Sequence, residues 1–280
     1  MKKFRIDFFK VLKIVIILIA LCSVLIPFFY LFLNSIKLER DFRTIPPKLI
    51  PTEITTEYYQ NAFSRGSKIS NYLLNSIIVT FAVVFISVFI GALAAYSFSH
   101  LRRAFRIFSF AVFGILLVRF YPKVVMVVPY FILMRNFKLL DTLFAIIIAH
   151  VSIGIPFVVW LMLGFYDDIP KELEESGMID GCGPWMRFIR IVFPVSLPGI
   201  ATAAIMTAIL SWNEFLIASS VVSVSAKTLP ILISGYISDK GINWGPMSAV
   251  STVIILPMFV FALFTQKYLV RGLTFGAVKG

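Results

Sequence analysis

The sequence predicts an all-α integral membrane protein with six transmembrane helices. Three properties favour this class: 59% of the 280 residues are hydrophobic, only 14% are charged, and the mean hydropathy is +0.93. Soluble domains are closer to half apolar and a quarter charged. The apolar residues also lie in long runs, and a run of about 18 or more can cross the roughly 30 Å hydrocarbon core of a bilayer. We therefore assign the apolar excess to membrane spans rather than to one buried core.

The first predicted span covers residues 11–33 and follows a basic N-terminus. The basic residues that precede the apolar run are Lys2, Lys3, Arg5, Lys10 and Lys13. Such a start resembles a signal peptide, but the run is too long for one and lacks a small-residue cleavage site. We expect an uncleaved span, followed by a polar outer loop.

The other predicted spans are, in order, 73–98, 107–127, 143–165, 199–222 and 247–268. The third apolar run is the least regular, because Arg119, Pro122, Lys123 and Pro129 interrupt it. We place the remainder of that run, up to residue 134, in the outer interface. The predicted organisation is an N-terminal tail, first span and outer loop at 1–70, a five-helix core at 71–268, and a tail at 269–280.

Charge predicts the orientation and argues against a nucleic-acid partner. Six spans place both ends on one side, and Lys and Arg favour cytoplasmic loops. With the N-terminus inside, the inner segments hold only slightly more Lys and Arg than the outer loops. The basic N-terminus contains only Asp7 as an acidic residue, however, and the first span often determines the orientation of the whole chain. Both termini are therefore predicted to be cytoplasmic. The net charge of +12 does not indicate nucleic acid, because no soluble stretch is long enough to form a basic patch.

The most polar stretch of the chain is the loop 167–198, between the fourth and fifth spans. Its pattern predicts a short helix that stops at Gly181, and a second short helix over 185–192 that Pro194 and Pro198 end. Pattern alone leaves two interpretations open. The loop is either an ordinary segment folded on lipid headgroups or a rigid helix pair that docks on a soluble partner.

The spacing within this loop resembles the EAA motif of the membrane subunits of ABC importers. That motif is Glu-Ala-Ala, three residues, Gly, nine residues, then Ile-x-Leu-Pro. This sequence has Glu175-Ser176-Gly177, three residues, Gly181, nine residues, then Ile191-x-Phe193-Pro194. The three departures from the motif keep small or apolar character, although a glycine inside a helix weakens it by up to about 1 kcal/mol.

The resemblance extends over nearly the whole chain. The matching segments are Asn75-Ser76, Arg119-Phe120-Tyr121-Pro122, Leu139-Leu140-Asp141-Thr142, Trp212-Asn213-Glu214-Phe215 and the C-terminal stretch from Arg271 to Gly280. Together they are similar to the sugar-importer branch, in particular to the second-subunit type of maltose permease, which includes trehalose and multiple-sugar permeases.

The resemblance implies a type I ABC importer fold with a cytoplasmic coupling helix. In that family the EAA loop lies in a cleft of an ATPase subunit, so the implied contacts are Glu175, Ser176, Gly177, Asp180 and Gly181. The C-terminal residues 276–280 are an implied second contact. The implied location is the cell membrane of a bacterium or archaeon.

The implied function is that of a permease subunit in an importer that moves a sugar, a di- or oligosaccharide, into the cytoplasm. The implied partners are a second, distinct permease subunit, two subunits that bind ATP and Mg²⁺, and an external sugar-binding protein. The sequence lacks the Gly-x-x-x-x-Gly-Lys-Ser/Thr phosphate-binding motif, so we expect no ATP or other cofactor on this chain and no enzyme activity of its own.

Four residues near the membrane interior are candidates for the substrate path. Ionisable groups inside spans are costly and often functional. Glu214 lies roughly 22 Å from the inner end of the fifth span at 1.5 Å per residue, beside Trp212 and Asn213, which suit sugar binding. Glu214 either contacts the substrate or pairs with a neighbouring helix. Arg119 either lines the path, pairs with Glu214, or extends towards the outer interface with Lys123.

Three alternatives remain open from the sequence. An ion-coupled secondary transporter usually has internal repeats and more buried acids. An importer for a non-sugar solute, such as a polyol or glycerol phosphate, would have the same architecture. A membrane enzyme would need a nucleophile–base pair or a metal cluster. We instead expect His100 and His150 to be polar groups satisfied inside the bundle, and we predict no metal.

Overall fold

The computed structural model describes residues 8–64, 69–239 and 241–275, and this part of the chain is mostly helical. The elements are α1 Phe8–Ser35, α2 Glu39–Phe42, α3 Glu57–Ala62, α4 Ile69–Ala104, α5 Arg106–Phe120, α6 Lys123–Asn136, α7 Leu143–Asp167, α8 Lys171–Ile179, α9 Pro184–Arg187, a π-helical turn Phe188–Val192, α10 Phe193–Trp212, α11 Leu216–Val221, α12 Leu229–Ser234, β1 Ile237–Ser238, β2 Gly241–Ile242 and α13 Trp244–Phe275. The two short strands pair antiparallel. The prediction of an all-α membrane fold is confirmed, apart from this small hairpin.

Within the described ranges, five helical segments are long and apolar enough to cross a membrane. They are Phe9–Ser35, Ile69–Arg102, Leu143–Asp167, Pro184–Trp212 and Trp244–Gln266. These segments overlap the first, second, fourth, fifth and sixth predicted spans, the fifth only over residues 199–212. The last of these helices continues to Phe275, into the predicted tail, and residues 276–280 lie outside the described part of the chain.

The third predicted span differs from the expectation of one crossing at 107–127. Helix α5 ends at Phe120, and a separate helix, α6, begins at Lys123. Tyr121 between them is extended, with φ −70° and ψ 131°, because a residue that precedes a proline clashes in the helical conformation. The 15 residues of α5 rise about 22 Å, which is less than the thickness of a bilayer core. The count of six spans therefore stays a prediction.

The prediction that Pro194 and Pro198 end a separate helix is wrong. The chain is helical without interruption from Pro184 to Trp212. The π-helical turn lies just before Pro194, and the Phe193 N–H bonds the Phe188 carbonyl five residues back. This wider turn lets the helix continue, because it changes the bonding register where a proline cannot donate. The predicted span 199–222 is instead divided, because α10 ends at Trp212 and α11 starts at Leu216.

By backbone contacts the chain forms two compact units. One consists of Met1–Ile69 with Ile233–Pro257, and the other of Ser70–Leu232 with Met258–Gly280. The larger unit contains two clusters of buried apolar side chains. Representative buried residues are Val79, Val83, Met134, Ile146 and Ile217 in the first cluster, and Ala95, Val158, Met162, Val192 and Ala203 in the second. A side chain at Gly91 would place its Cβ 2.7 Å from Val158, so glycine is what allows α4 to approach α7 so closely.

In the smaller unit, Lys37 fixes the polar segment that follows α1. Its side chain is buried, and the ammonium donates to Asn34 Oδ1 at 2.7 Å and to the carbonyl of Lys48 at 2.8 Å. It also lies about 5 Å from the ring centroids of Tyr30 and Phe42. A buried charge is tolerated only with such partners. The segment is therefore a folded loop and not an extended linker.

Candidate functional site

The loop 167–198 contains a helix, α8, that ends in a hydrogen-bonded turn at Gly181. The Cys182 N–H bonds the Gly177 carbonyl at 2.9 Å, and the Gly181 N–H bonds the Met178 carbonyl at 3.0 Å. This pair of bonds is the Schellman motif, which closes a helix with a left-handed residue. Gly181 is that residue, with φ +77°, so the predicted helix stop is confirmed. A β-branched or bulky side chain at this position would strain the backbone.

Helix α8 packs directly on the helix that follows the turn. Gly177 is buried, and a Cβ added there would lie 2.4 Å from Ile191 Cδ1 and 3.5 Å from Arg187 Cγ. Gly177 lies on α8, whereas Ile191 belongs to the π-helical turn that leads into α10. The absence of a side chain at 177 therefore lets the two arms of the loop pack closely.

A polar contact joins α8 to the membrane helix α4. The Tyr96 hydroxyl donates to Glu174 Oε2 at 2.9 Å, and His100 Nε2 lies 3.0 Å from the same oxygen. The Tyr96 ring also packs on Phe188, with 4.9 Å between centroids. We call Tyr96, His100 and Glu174 the α4–α8 clasp. One carboxylate oxygen on α8 therefore meets two groups on α4 that lie one helical turn apart.

The structure divides the residues that the EAA resemblance singles out. Glu175, Ser176, Asp180 and Gly181 are exposed, whereas Gly177 is buried inside the loop. The Ser176 hydroxyl donates to its own helix, at the Leu173 carbonyl. The geometry thus leaves four of the five residues available to a partner and gives Gly177 a packing position.

Large apolar side chains are exposed on both sides of the Gly181 turn. Ile179 is 87% exposed, Met178 and Trp185 are more than half exposed, and Met186 follows at 44%. We call these four residues the apolar tip. The apolar tip therefore indicates a contact surface on this otherwise polar loop, because extended exposed apolar surface marks contact with a protein or a membrane.

The candidate Glu214 lies in a buried polar cluster just after α10 ends. Its carboxylate accepts from the backbone N–H groups of Ile217 at 3.2 Å and Ala218 at 3.0 Å, and so caps α11. His150 Nε2 lies 3.2 Å from Glu214 Oε2, and His150 Nδ1 lies 3.0 Å from the Ser211 hydroxyl. Of the two interpretations open from the sequence, this geometry favours pairing between helices.

The other candidates for the substrate path have different surroundings. Trp212 is buried, and its indole Nε1 has no hydrogen-bond partner among the described residues. Asn213 is exposed, and its amide donates to the Ile209 carbonyl at 2.9 Å. The side chain of Arg119 lies outside the described part of the structure. Its predicted role therefore stays a prediction.

One structural role was missed by sequence reasoning, although the residue was singled out. Asp141 adopts φ +59° in the turn between α6 and α7, and its carboxylate accepts from the four backbone N–H groups of residues 223–226 at 3.0–3.3 Å. The Asp141 N–H donates to the Val221 carbonyl at 2.9 Å. Burial raises the pKa of Asp141, but these four donors outweigh it and hold the pKa well below the usual carboxyl range.

We expect Asp141→Ala to lower the free energy of unfolding by about 1–2 kcal/mol near neutral pH, because it removes charge-assisted hydrogen bonds. The pKa in the folded state lies below that of the unfolded chain. The stabilisation is therefore fully present above about pH 4 and is lost as the pH falls further. Thermal unfolding of the purified chain in detergent, at a series of pH values, measures this. The exposed Asp239 provides the control Asp239→Ala, and a difference that stays constant down to low pH would contradict the prediction.

A cavity of about 460 Å³ opens between α5, α6, α7, α10 and α11. Its lining is mainly apolar, with polar groups from Tyr121, Lys123, Tyr130 and Ser152. The volume lies in the range of roughly 300–1,000 Å³ that is typical of small-molecule sites. Among the described residues, no group of three or more His, Cys, Asp or Glu is arranged to hold a metal ion.

Membrane-length helices and a capped helical loop define the class: the chain is a multi-pass helical membrane protein. The family model described as "binding-protein-dependent transport system inner membrane component" matches residues 62–275. The chain belongs to this family of ABC transporter permease subunits, which are not enzymes themselves. The resemblance inferred from the EAA loop is thereby confirmed.

Individual relatives agree with the family match. The chain is 32% identical to the trehalose transport system permease protein SugB of Mycobacterium tuberculosis, over 91% of this chain and 93% of that protein. It is 31% identical to the sulfoquinovosyl glycerol transport system permease protein SmoH of Agrobacterium fabrum, over 97% and 94%. A crystal structure of a bacterial ABC transporter involved in alginate import shares the fold, with a TM-score of 0.74, 22% identity and coverage of 93% and 96%.

Proposed function

We propose that this chain is a permease subunit of an ATP-driven importer that moves an oligosaccharide into the cytoplasm. Two relatives at 31–32% identity are named for the transport of trehalose and of sulfoquinovosyl glycerol, both of which contain a sugar. The structural observation that carries the proposal is the α4–α8 clasp, because it connects an exposed loop to a membrane helix. Family membership does not favour an ion-coupled secondary transporter.

The proposal places the loop 167–198 and both termini in the cytoplasm and gives the chain six membrane crossings, with α5 and α6 together forming the third. The partners are a second permease subunit, two subunits that bind ATP and Mg²⁺, and an external binding protein. The apolar tip supports the contact with an ATP-binding subunit, because its four side chains would lose water on docking. Glu175, Ser176, Asp180 and Gly181 lie on the same exposed segment.

In this mechanism the chain transmits movement and does no covalent chemistry. Closure of the ATP-binding subunits displaces α8, and the clasp passes the displacement to α4. The close packing of Gly177 on Ile191 passes it to α10 at the same time. Helix α10 contacts α7 at the second core cluster, and α4 contacts α7 at Gly91. The displacement of α4 and α10 is therefore passed on to α7.

Co-purification tests this proposal. We expect a tagged form of the chain, solubilised in mild detergent, to bring down a second permease subunit and an ATP-binding subunit. ATP hydrolysis by the reconstituted complex is expected to rise when sugar-loaded binding protein is added. A chain that purifies alone and catalyses uptake alone would show that the proposal is wrong.

A further inference from the structure

The cavity between α5, α6, α7, α10 and α11 contains one cationic group with an unusual position. Lys123 is the first residue of α6, and it lines both this cavity and a small recess of about 20 Å³ beside it. The N-terminus of a helix carries partial positive charge, so the 14-residue α6 adds to the field of the ammonium group. The ammonium group and the helix terminus therefore both place positive charge at this end of the cavity.

Lys123 shares the recess with one acidic residue, Glu214, but forms no ion pair with it. The Glu214 carboxylate instead contacts His150 and the backbone N–H groups of Ile217 and Ala218. Lys123 forms no ion pair with any residue in the described ranges. The exposed Lys123 ammonium, which is held in no such ion pair, is therefore available to an anionic ligand in the cavity, because opposite charges attract at short range.

The rest of the lining suits a ring-shaped polyol. Tyr121 and Tyr130 each combine a flat apolar ring with a hydroxyl, and Phe157 adds a third aromatic ring. Tyr130 shares a hydrogen bond with Ser152, which also lines the cavity, so a pair of hydroxyl groups lies among the apolar lining residues. Such a mixture of apolar faces and few polar groups is typical of binding cavities.

We propose that this cavity binds the acidic group of a sugar, a carboxylate, sulfonate or phosphate, and that Lys123 determines this specificity. The inference rests on the proposed importer function and narrows its substrate to an acidic saccharide. The same anionic chemistry is offered by a phospholipid headgroup, so the test must separate the two sources.

The potential of the cavity can be measured without transport. Val125 lines the cavity and is half exposed, so Val125→Cys, in a chain with Cys22→Ser and Cys182→Ser, introduces a reporter thiol. The reaction rates with an anionic sulfonatoethyl and a cationic trimethylammonioethyl methanethiosulfonate are then compared in phosphatidylcholine nanodiscs. We expect Lys123→Gln to lower the anionic-to-cationic rate ratio by at least about tenfold.

The matched control is Arg135→Gln, which removes a cation from the last turn of the same helix, away from the cavity. It is expected to leave the ratio unchanged. A ratio that does not respond to Lys123→Gln, or that responds equally to Arg135→Gln, would overturn the proposal. Because these rates require neither ATP nor partners, the result is independent of the co-purification.

Protection of the same thiol identifies the source of the anion. We expect an alginate disaccharide, a uronate, to slow modification in phosphatidylcholine nanodiscs, and neutral trehalose to have at least tenfold less effect at equal concentration. Equal protection by trehalose would overturn the requirement for an anion. Slowing by phosphatidylglycerol nanodiscs without any protection by the uronate would assign the site to lipid and overturn the substrate class.

Discussion

Replacing Gly181 with valine is expected to reduce ATP-driven uptake by at least about tenfold while leaving the amount of inserted protein unchanged. The backbone of Gly181 has φ +77° and closes α8 through its Schellman bonds. A left-handed conformation costs an L-residue about 1–2 kcal/mol, and more when the side chain is β-branched. The turn would therefore open, and the apolar tip would lose its fixed shape. Uptake and binding-protein-stimulated ATP hydrolysis in proteoliposomes measure the effect.

Two control variants separate the effect of the turn geometry from the effect of an added side chain. Gly181→Asn keeps the turn, because asparagine tolerates the left-handed conformation, and we expect it to retain most of the uptake. Gly183→Val adds the same side chain two residues away, where the backbone is extended and a Cβ meets no atom within 4 Å. Equal loss in Gly181→Asn and Gly181→Val would show that the docking partner rejects any side chain there and that turn geometry is not the reason.

Breaking the α4–α8 clasp is expected to separate ATP hydrolysis from transport. In Glu174→Leu the Tyr96 hydroxyl and the His100 imidazole lose their shared acceptor. Hydrogen bonds to a charged group contribute about 1.5–3 kcal/mol, which corresponds to roughly tenfold or more in coupling if the contact acts in the rate-limiting movement. We expect the amount of sugar moved per ATP to fall by about that factor, with hydrolysis largely retained.

The matched control for the clasp is Glu172→Leu, which removes an exposed carboxylate from the first turn of the same helix. It is expected to leave the ratio of transport to hydrolysis unchanged. Tyr96→Phe, alone and combined with Glu174→Leu, completes a double-mutant cycle. Additive losses in that cycle would show that Tyr96 and Glu174 act independently, and the clasp would then not be the route of coupling.

Several features could be predicted because they depend on nearby residues alone. A span requires only enough consecutive apolar residues, and five predicted spans overlap helices of membrane length among the described residues. The helix stop at Gly181 depends on one residue without a Cβ, so it was also predicted correctly. The continuity of the fifth helix through Pro194 was not predicted. It depends on the π-helical turn before the proline, and that turn depends on tertiary packing, since its residues Phe188 and Val192 are buried.

In the candidate site, too, the features that depend on nearby residues were predicted and those that depend on tertiary packing were not. The spacing of the EAA motif located the loop and the positions of its candidate contact residues, since spacing can be read directly from the sequence. It could not separate the exposed Glu175 from the buried Gly177, because burial depends on Ile191, which lies 14 positions further on. The contacts of Glu174 were also missed, since Tyr96 and His100 lie 78 and 74 residues away in the sequence.

The sequence by itself determined the membrane class, the family and the position of the loop, because composition, run length and motif spacing are local quantities. Only the tertiary structure decided which groups meet: Glu174 with α4, Asp141 with residues 223–226, Glu214 with His150, and Lys123 with a cavity but with no acidic partner among the described residues. These pairings depend on helix packing, which brings distant residues within hydrogen-bond distance and leaves no periodic trace in the sequence.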